Sequence, residues 1–224
     1  TKSEDDKLRT SQDYIDGMKE GQNEIYYATG ATLEEVLKSP YLEAFKDKDI
    51  EVLVFLDEID DFVFTGFEFK GKRLKSVSKG DINLDKAEED EKKDTQKKYK
   101  KLLDLVKDIL KDDVKDVRFS GRLTDSACCL VAEEGDMDPQ MEKLLKAMGQ
   151  DVPQRKRVLE INPSHPLFAA MNTIFENDKN SPHLEDYTRL LYDQALLLEG
   201  SKPKDPAAFA KVLARLMVEN AEKY

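Results

Sequence analysis

The hydrophobic pattern near the end of the chain predicts two amphipathic helices joined by a short turn at residues 200–204. In both segments, apolar side chains recur in steps of three and four residues, which place them on one stripe of a helix. The stripes comprise Leu184, Tyr187, Leu190, Leu191, Ala195 and Leu198, then Phe209, Val212, Leu213, Leu216 and Met217. Such a hairpin either packs on its own domain or pairs with a second copy in a two-fold symmetric four-helix bundle.

Before the hairpin, the pattern predicts a small three-layer α/β domain over residues 10–80. Residues 24–28 favour a strand, residues 32–35 have the form of a capping box that begins a helix, and residues 50–56 are an apolar run of strand length. Strand, helix and strand in this order form a βαβ unit. Residues 67–69 and 73–77 then predict a strand, a turn and a further strand.

Residues 81–101 carry a dense mix of charges and predict a connector that leads into a helix. Residues 102–224 are predicted to form an α+β domain, with strands at 114–118, 127–132 and 157–161 and helices before and after them. The predicted fold class is therefore α+β. It comprises a small α/β domain, followed by a three-stranded sheet and a terminal helical hairpin able to form a dimeric four-helix bundle.

The connection between the second and third of these strands contains a predicted short amphipathic helix. Asp138 caps it and Pro139 takes its first position. Its apolar face carries Met141, Leu144, Leu145 and Met148, with Met137 just before it. Methionine is flexible and polarizable, so it suits a surface that adapts to several partners. Alternatively, this face packs on the sheet. Phe62, in the earlier domain, either contacts another protein or is buried in the core.

Composition narrows the functional classes. A net charge of −11 argues against nucleic acid or an anionic membrane as the main partner. We expect neither a membrane span nor a signal peptide, because the chain lacks an apolar run of about 18 residues and the segment order of a signal. Cys128 and Cys129 are adjacent, so a disulfide between them is disfavoured and a reduced, cytoplasmic compartment is predicted.

The sequence predicts no catalytic residue and no metal site. The two histidines, His165 and His183, sit beside prolines at helix starts, which favours capping roles over catalysis. Histidine and cysteine spacings do not fit a zinc site, and no Gly-Lys-Ser/Thr phosphate loop is present. The remaining enzyme hypothesis is a hydrolase that uses Cys128 or Ser126 as its nucleophile.

Four segments together resemble the heat-shock protein 90 chaperone family. They are DYIDGMKEGQNEIYY at residues 13–27, KSVSK at 75–79, VRFSGRLTDS at 117–126 and LEINPSHPL at 159–167. The resemblance runs in order from about residue 11 to the end of the chain. It covers the last part of the family's middle domain and its C-terminal dimerisation domain.

The resemblance implies an ATP-dependent, homodimeric molecular chaperone that binds partly folded client proteins. In the family, ATP and magnesium bind in an N-terminal domain, and the catalytic arginine loop lies earlier in the middle domain. We therefore expect this chain to have no cofactor and no ATPase activity of its own. It ends ENAEKY, without the acidic tail of cytosolic eukaryotic members, so it resembles the bacterial form and we expect no tail-dependent cochaperones.

The resemblance also implies roles for the two apolar patterns. The terminal hairpin becomes the dimer interface, with Leu184, Tyr187, Leu191, Leu198, Phe209, Val212, Leu213, Leu216 and Met217. The amphipathic helix lines the cleft of the dimer and becomes the client-binding surface, with Met137, Met141, Leu144, Leu145 and Met148, joined by Phe62 from the middle-domain side. The alternative is a purely structural dimerisation module with no client contact of its own.

Overall fold

The computed structural model describes residues 10–57, 60, 64, 66–84, 93–136, 142, 145, 148–149 and 155–222. They form a mixed α/β chain with two small sheets. The helices are α1 (Ser11–Asp16), α2 (Leu33–Leu37), a 3-10 turn (Pro40–Leu42), α3 (Glu43–Asp47), α4 (Lys100–Ile109), α5 (Pro166–Asn177), α6 (Pro182–Leu198) and α7 (Pro206–Ala221). The strands are β1 (Glu24–Thr29), β2 (Leu53–Phe55), β3 (Glu68–Phe69), β4 (Lys72–Ser76), β5 (Val114–Phe119), β6 (Cys128–Val131) and β7 (Arg157–Ile161).

The first sheet has the strand order β2-β1-β4-β3. Strand β1 is central and parallel to both neighbours, with Tyr27 opposite Leu53 on one side and Ser76 on the other. The connection from β1 to β2 carries α2, the 3-10 turn and α3. This arrangement is the predicted βαβ unit.

Side chains of β1 alternate between two cores, because successive residues of a strand point to opposite faces. Tyr26 and Ala28 pack with Phe45 of α3. Ile25 and Tyr27 pack with Tyr14 of α1. Helices therefore cover both faces of this sheet, which gives the first unit, residues 10–84, three layers.

The second sheet has the order β5-β7-β6, with β7 parallel to β5 and antiparallel to β6. Helices α4, α5 and α6 pack on one of its faces. The helical side of this core contains Leu102, Leu103, Val106, Phe168, Met171, Phe175, Leu184, Leu191 and Ala195. Burying one leucine or phenylalanine contributes roughly 1.5–3 kcal/mol, so this cluster accounts for much of the stability of the second unit, residues 93–222.

The other face of the second sheet meets the first unit. Tyr41, next to α3, packs against the cluster on that face, and its hydroxyl donates to the carbonyl of Leu130 at 2.5 Å. Lys79 forms a parallel bridge with Ala132. The amide of Gly80 donates to the carbonyl of Ala132 at 2.9 Å. Backbone and side-chain hydrogen bonds thus join the two units.

A buried ion pair lies at this junction. Arg122 is 0% exposed, and its Nε donates to Glu160 Oε2 at 2.9 Å, while its terminal nitrogens donate to the carbonyls of Val77 and Gly80. Arg118 Nη2 donates to Glu160 Oε1 at 2.8 Å. Burial alone would raise the pKa of Glu160, but the two arginines outweigh it and hold that pKa below its ordinary value. Removing one partner would leave a buried charge uncompensated, so the junction depends on both.

Candidate interaction surfaces

Helix α7 is amphipathic, yet none of its described residues is buried. Phe209, Val212 and Leu216 are half-buried, at a spacing that directs them to one side of the helix, where α7 contacts α6. Leu213 and Met217 form the next ridge and are 42% and 65% exposed. This ridge stays in water unless a second surface covers it. Exposed apolar patches of this kind mark interaction sites.

Helices α6 and α7 form an antiparallel hairpin that polar contacts hold together. Arg215 of α7 donates to the carboxylate of Asp186 in the first turns of α6. His183 Nδ1 lies 4.0 Å from Glu219 Oε2, near the end of α7. The distance from His183 to Glu219 is too long for a hydrogen bond, so the contact of Arg215 with Asp186 is the one that joins the start of α6 to the second half of α7 and orients the two helices.

The side of α6 that faces the sheet belongs to the core of its own unit. Leu184 and Leu191, which we predicted as dimer contacts, are 1% and 2% exposed, and Tyr187 packs partly buried against the same cluster. Leu198, at the end of the helix, is 48% exposed. The exposed part of the predicted dimer surface therefore comes from α7 and the end of α6, whereas Leu184 and Leu191 belong to the core of the second unit.

The connection from β6 to β7 contains all the predicted client contacts except Phe62. Met148 is 67% exposed, and Leu145 is helical and half-buried. Four other predicted client contacts, Phe62, Met137, Met141 and Leu144, lie outside the described residues. Among those that are described, Met148 is the side chain presented to solvent.

One cluster of charged side chains, to which this connection contributes Glu142, was not predicted. Glu142 is 5% exposed and accepts a hydrogen bond from Arg157 Nη2 at 3.0 Å. Arg157 also donates to Glu199, at the end of α6. Nothing in the sequence distinguishes Glu142 and Glu199 from the other acidic residues, of which the chain has 47 with these two included.

The proposed cysteine and serine nucleophiles lie in unfavourable surroundings. Burial raises the pKa of the Cys128 thiol to about 12, and it raises that of Cys129 well above its ordinary value. A thiol held protonated is a poor nucleophile. The hydroxyl of Ser126 donates to the carboxylate of Glu43, which also accepts from the amide of Thr124 at 2.8 Å. These contacts indicate structural roles.

One of the two histidines, His165, has the predicted capping role, whereas the N-cap of α6 is Ser181 and not His183. His165 is the N-cap of α5, where its Nδ1 accepts from the amide of Leu167 at 3.1 Å, as its place before Pro166 predicted. Within the described residues, no group of three or more acidic, histidine or cysteine side chains could hold a metal ion. Nor does the described part of the chain contain a helix long and apolar enough to cross a membrane.

Comparison with known proteins agrees with the motifs. The Hsp90 protein family model matches residues 1–223. The chaperone protein HtpG of Geobacter metallireducens is 46% identical over 99% of this chain and 35% of its own length. HtpG of Geobacter sulfurreducens is 46% identical over 94% of the chain and 33% of its own length, and that of Mycobacterium avium is 44% identical over 96% and 34%. The chain therefore spans about a third of the length of these curated relatives.

Proposed function

This chain belongs to the Hsp90 protein family, and on that premise we propose that it provides self-association and client binding to an ATP-dependent, cytoplasmic HtpG-type chaperone. Its partners are a second copy of itself and partly folded client proteins. Nucleotide binding and hydrolysis belong to other parts of such a chaperone, so the chain has no ATPase function of its own. Neither nucleic acid nor an anionic membrane is a partner in this proposal, because the net charge of the chain is −11.

The exposed apolar ridge of α7 is the observation that carries the self-association proposal. Leu213 and Met217 are 42% and 65% exposed, whereas α6, the other helix of the hairpin, is well packed. Full burial of an exposed leucine or methionine contributes roughly 1.5–3 kcal/mol, and covering Leu213 or Met217 contributes the share of this that belongs to the exposed part of the side chain. A two-fold contact buries two ridges, one from each copy, and two hairpins complete a four-helix bundle.

The connection before β7 supports the client-binding part of the proposal. An exposed methionine, Met148, follows a half-buried leucine, Leu145, on a segment that leaves the sheet. Met137, Met141, Leu144 and Phe62 extend this surface in the proposal. A flexible apolar surface of this kind binds many hydrophobic segments weakly, which suits a chaperone that must also release them.

Molar mass in solution tests self-association. By light scattering on a sizing column, the chain should have a mass near twice 25.6 kDa, and Leu213→Asp with Met217→Asp should reduce it to one chain. The matched control is Lys211→Asp with Ala214→Asp, at exposed positions outside the ridge. A monomeric parent chain, or loss of the dimer in the control as well, would refute the ridge as the interface.

Suppression of aggregation tests client binding. Heat-denatured citrate synthase is a suitable probe, and the chain should reduce its light scattering while Met148→Asp with Leu145→Asp reduces this effect. Circular dichroism and molar mass must stay unchanged in the variant. If the parent chain has no effect on the probe, the alternative of a purely structural dimerisation module is the correct one.

A further inference from the structure

One guanidinium group joins the two candidate surfaces of the second unit. Arg157, the first residue of β7, donates from Nη2 to Glu142 Oε2 at 3.0 Å and from Nη1 to Glu199 Oε1. The side chains of Arg157, Glu142 and Glu199 are 14%, 6% and 7% exposed. Both ion pairs are therefore largely shielded from water, although their carboxylates come from different segments of the chain.

Each carboxylate is attached to one of the two surfaces. Glu142 lies three residues before Leu145 and six before the exposed Met148, within the connection from β6 to β7. Glu199 is the C-cap of α6. It immediately precedes Gly200, whose φ of 76° turns the chain toward α7. If either surface moves, the carboxylate attached to it therefore moves as well.

Arginine is suited to hold both carboxylates at once. Its planar guanidinium presents several donors in a fixed geometry, so two carboxylates can bind at different nitrogens. Shielding from water strengthens each interaction and weakens screening by salt. The two carboxylates share a single cation. Displacement of one carboxylate therefore shifts the guanidinium, which changes the electrostatic field at the other carboxylate.

A neighbouring arginine shows what an uncoupled pair looks like. Arg155 donates to Asp136 on the same connection, and although the Asp136 side chain is 12% exposed, that of Arg155 is 61% exposed. An exposed ion pair contributes little, because water and salt screen it. Two arginines on one segment thus differ in burial and in the number of elements that they join.

We infer that Arg157 is a positioning residue that couples the client-binding connection to the self-association hairpin. It contacts neither the client nor the second copy in this assignment. It holds Glu142 and Glu199 in one network on the central strand of the sheet, so a displacement at either end reaches the other. The coupling concerns the geometry of the chain, and its significance for a chaperone rests on the proposed function.

Two nitroxide labels test the coupling, each in a separate variant. One is attached at Met148→Cys on the connection, and the other at Lys202→Cys in the turn between α6 and α7. Cys128 and Cys129 are buried, and the parent chain without an introduced cysteine gives the labelling background. The electron paramagnetic resonance line shape then reports the ratio of mobile to ordered label at each position.

Each label is used to detect a change at the opposite end of the network. Glu199→Gln should alter the ratio at position 148, and Glu142→Gln should alter the ratio at position 202, each by roughly threefold or more, as expected for groups in one ion-pair network. Both long-range effects should disappear in an Arg157→Gln background. Asp136→Asn, which removes the exposed pair of Arg155, should leave the label at position 202 unchanged.

Effects confined to the mutated end would overturn the inference, as would effects that persist without Arg157. If Arg157→Gln does not fold, Arg157→Lys replaces it, since lysine keeps the charge but lacks the fork that serves two carboxylates. The labels report equally in a monomer and a dimer. Coupled labels in a monomeric chain would therefore support Arg157 while refuting the proposed self-association.

Discussion

Helices α6 and α7 are neighbours with similar apolar periodicity, but the protein uses them differently. Helix α6 buries seven residues, among them Leu184, Leu191 and Ala195, against the sheet and its companion helices. Helix α7 buries none of its described residues and leaves Leu213 and Met217 in solvent. One helix therefore stabilises the fold, and the other offers an apolar ridge with no cover in the single chain.

Amphipathicity and burial are therefore separate properties of a helix. A three- and four-residue spacing indicates that a helix has an apolar side, but it does not indicate which surface covers that side. Helix α6 is covered by its own chain. For α7, the polar contacts to α6, such as that between Arg215 and Asp186, fix the orientation of the ridge before any partner binds.

Truncating one leucine in each helix should show this difference most clearly. Leu191→Ala removes a side chain that is 2% exposed, so it should lower the free energy of unfolding by about 2–5 kcal/mol. The loss should not depend on protein concentration, because the contacts lie within one chain. Urea unfolding at several concentrations measures it.

The matched change in α7 is Leu213→Ala. It should have little effect on unfolding at low concentration, where the chain is monomeric, and an increasing effect at concentrations at which the parent chain associates. A large, concentration-independent loss for Leu213→Ala would mean that the ridge belongs to the fold of the single chain. The comparison between the two helices would then fail.

Local patterns predicted most of the elements correctly. The capping side chain of Thr32 accepts from the amide of Glu35 at 3.2 Å and begins α2, and prolines begin α5, α6 and α7. The strand predicted over residues 50–56 is shorter, Leu53–Phe55. One reason is that the amide of Ile50 donates to the carbonyl of Phe45, at the end of α3, rather than to a neighbouring strand.

Interactions between distant residues could not be predicted from these patterns. The chain has 36 basic and 47 acidic residues, and only the folded arrangement selects Arg122 with Glu160 at the junction. The same is true of Arg157 with its two carboxylates. Hydrophobic periodicity predicts which side of an element is buried, but it contains no information on which charges meet there.

The predicted domain boundary over residues 81–101 stays a prediction, since part of it lies outside the described residues.

A buried hydroxyl in α6 permits a prediction of intermediate size. Thr188 is 0% exposed, and its Oγ1 has no hydrogen-bond partner within the described part of the chain. Thr188→Val keeps the shape and removes the unpaired group, so it should raise the free energy of unfolding by about 1 kcal/mol. Urea unfolding measures the change. Thr173→Val in α5 is the control, because Thr173 is exposed and its hydroxyl donates to Ala169 at 3.1 Å; an equal gain there would contradict the explanation.

The smallest effect is expected at the ion pair that orients α7 on α6. Arg215→Gln removes the contact to Asp186, and because Arg215 is 49% exposed, the melting temperature should fall by about 2 °C or less. The fall should shrink further at high salt, which screens exposed charges.

Arg189→Gln is the matched control, since it breaks a pair with Glu185 within α6 alone. The two variants should differ in self-association: Arg215→Gln should weaken the dimer and Arg189→Gln should not, because Arg215, unlike Arg189, joins α7 to α6 and so helps to orient Leu213 and Met217. Equal dimer dissociation constants for both variants would show that the ridge does not need this orientation.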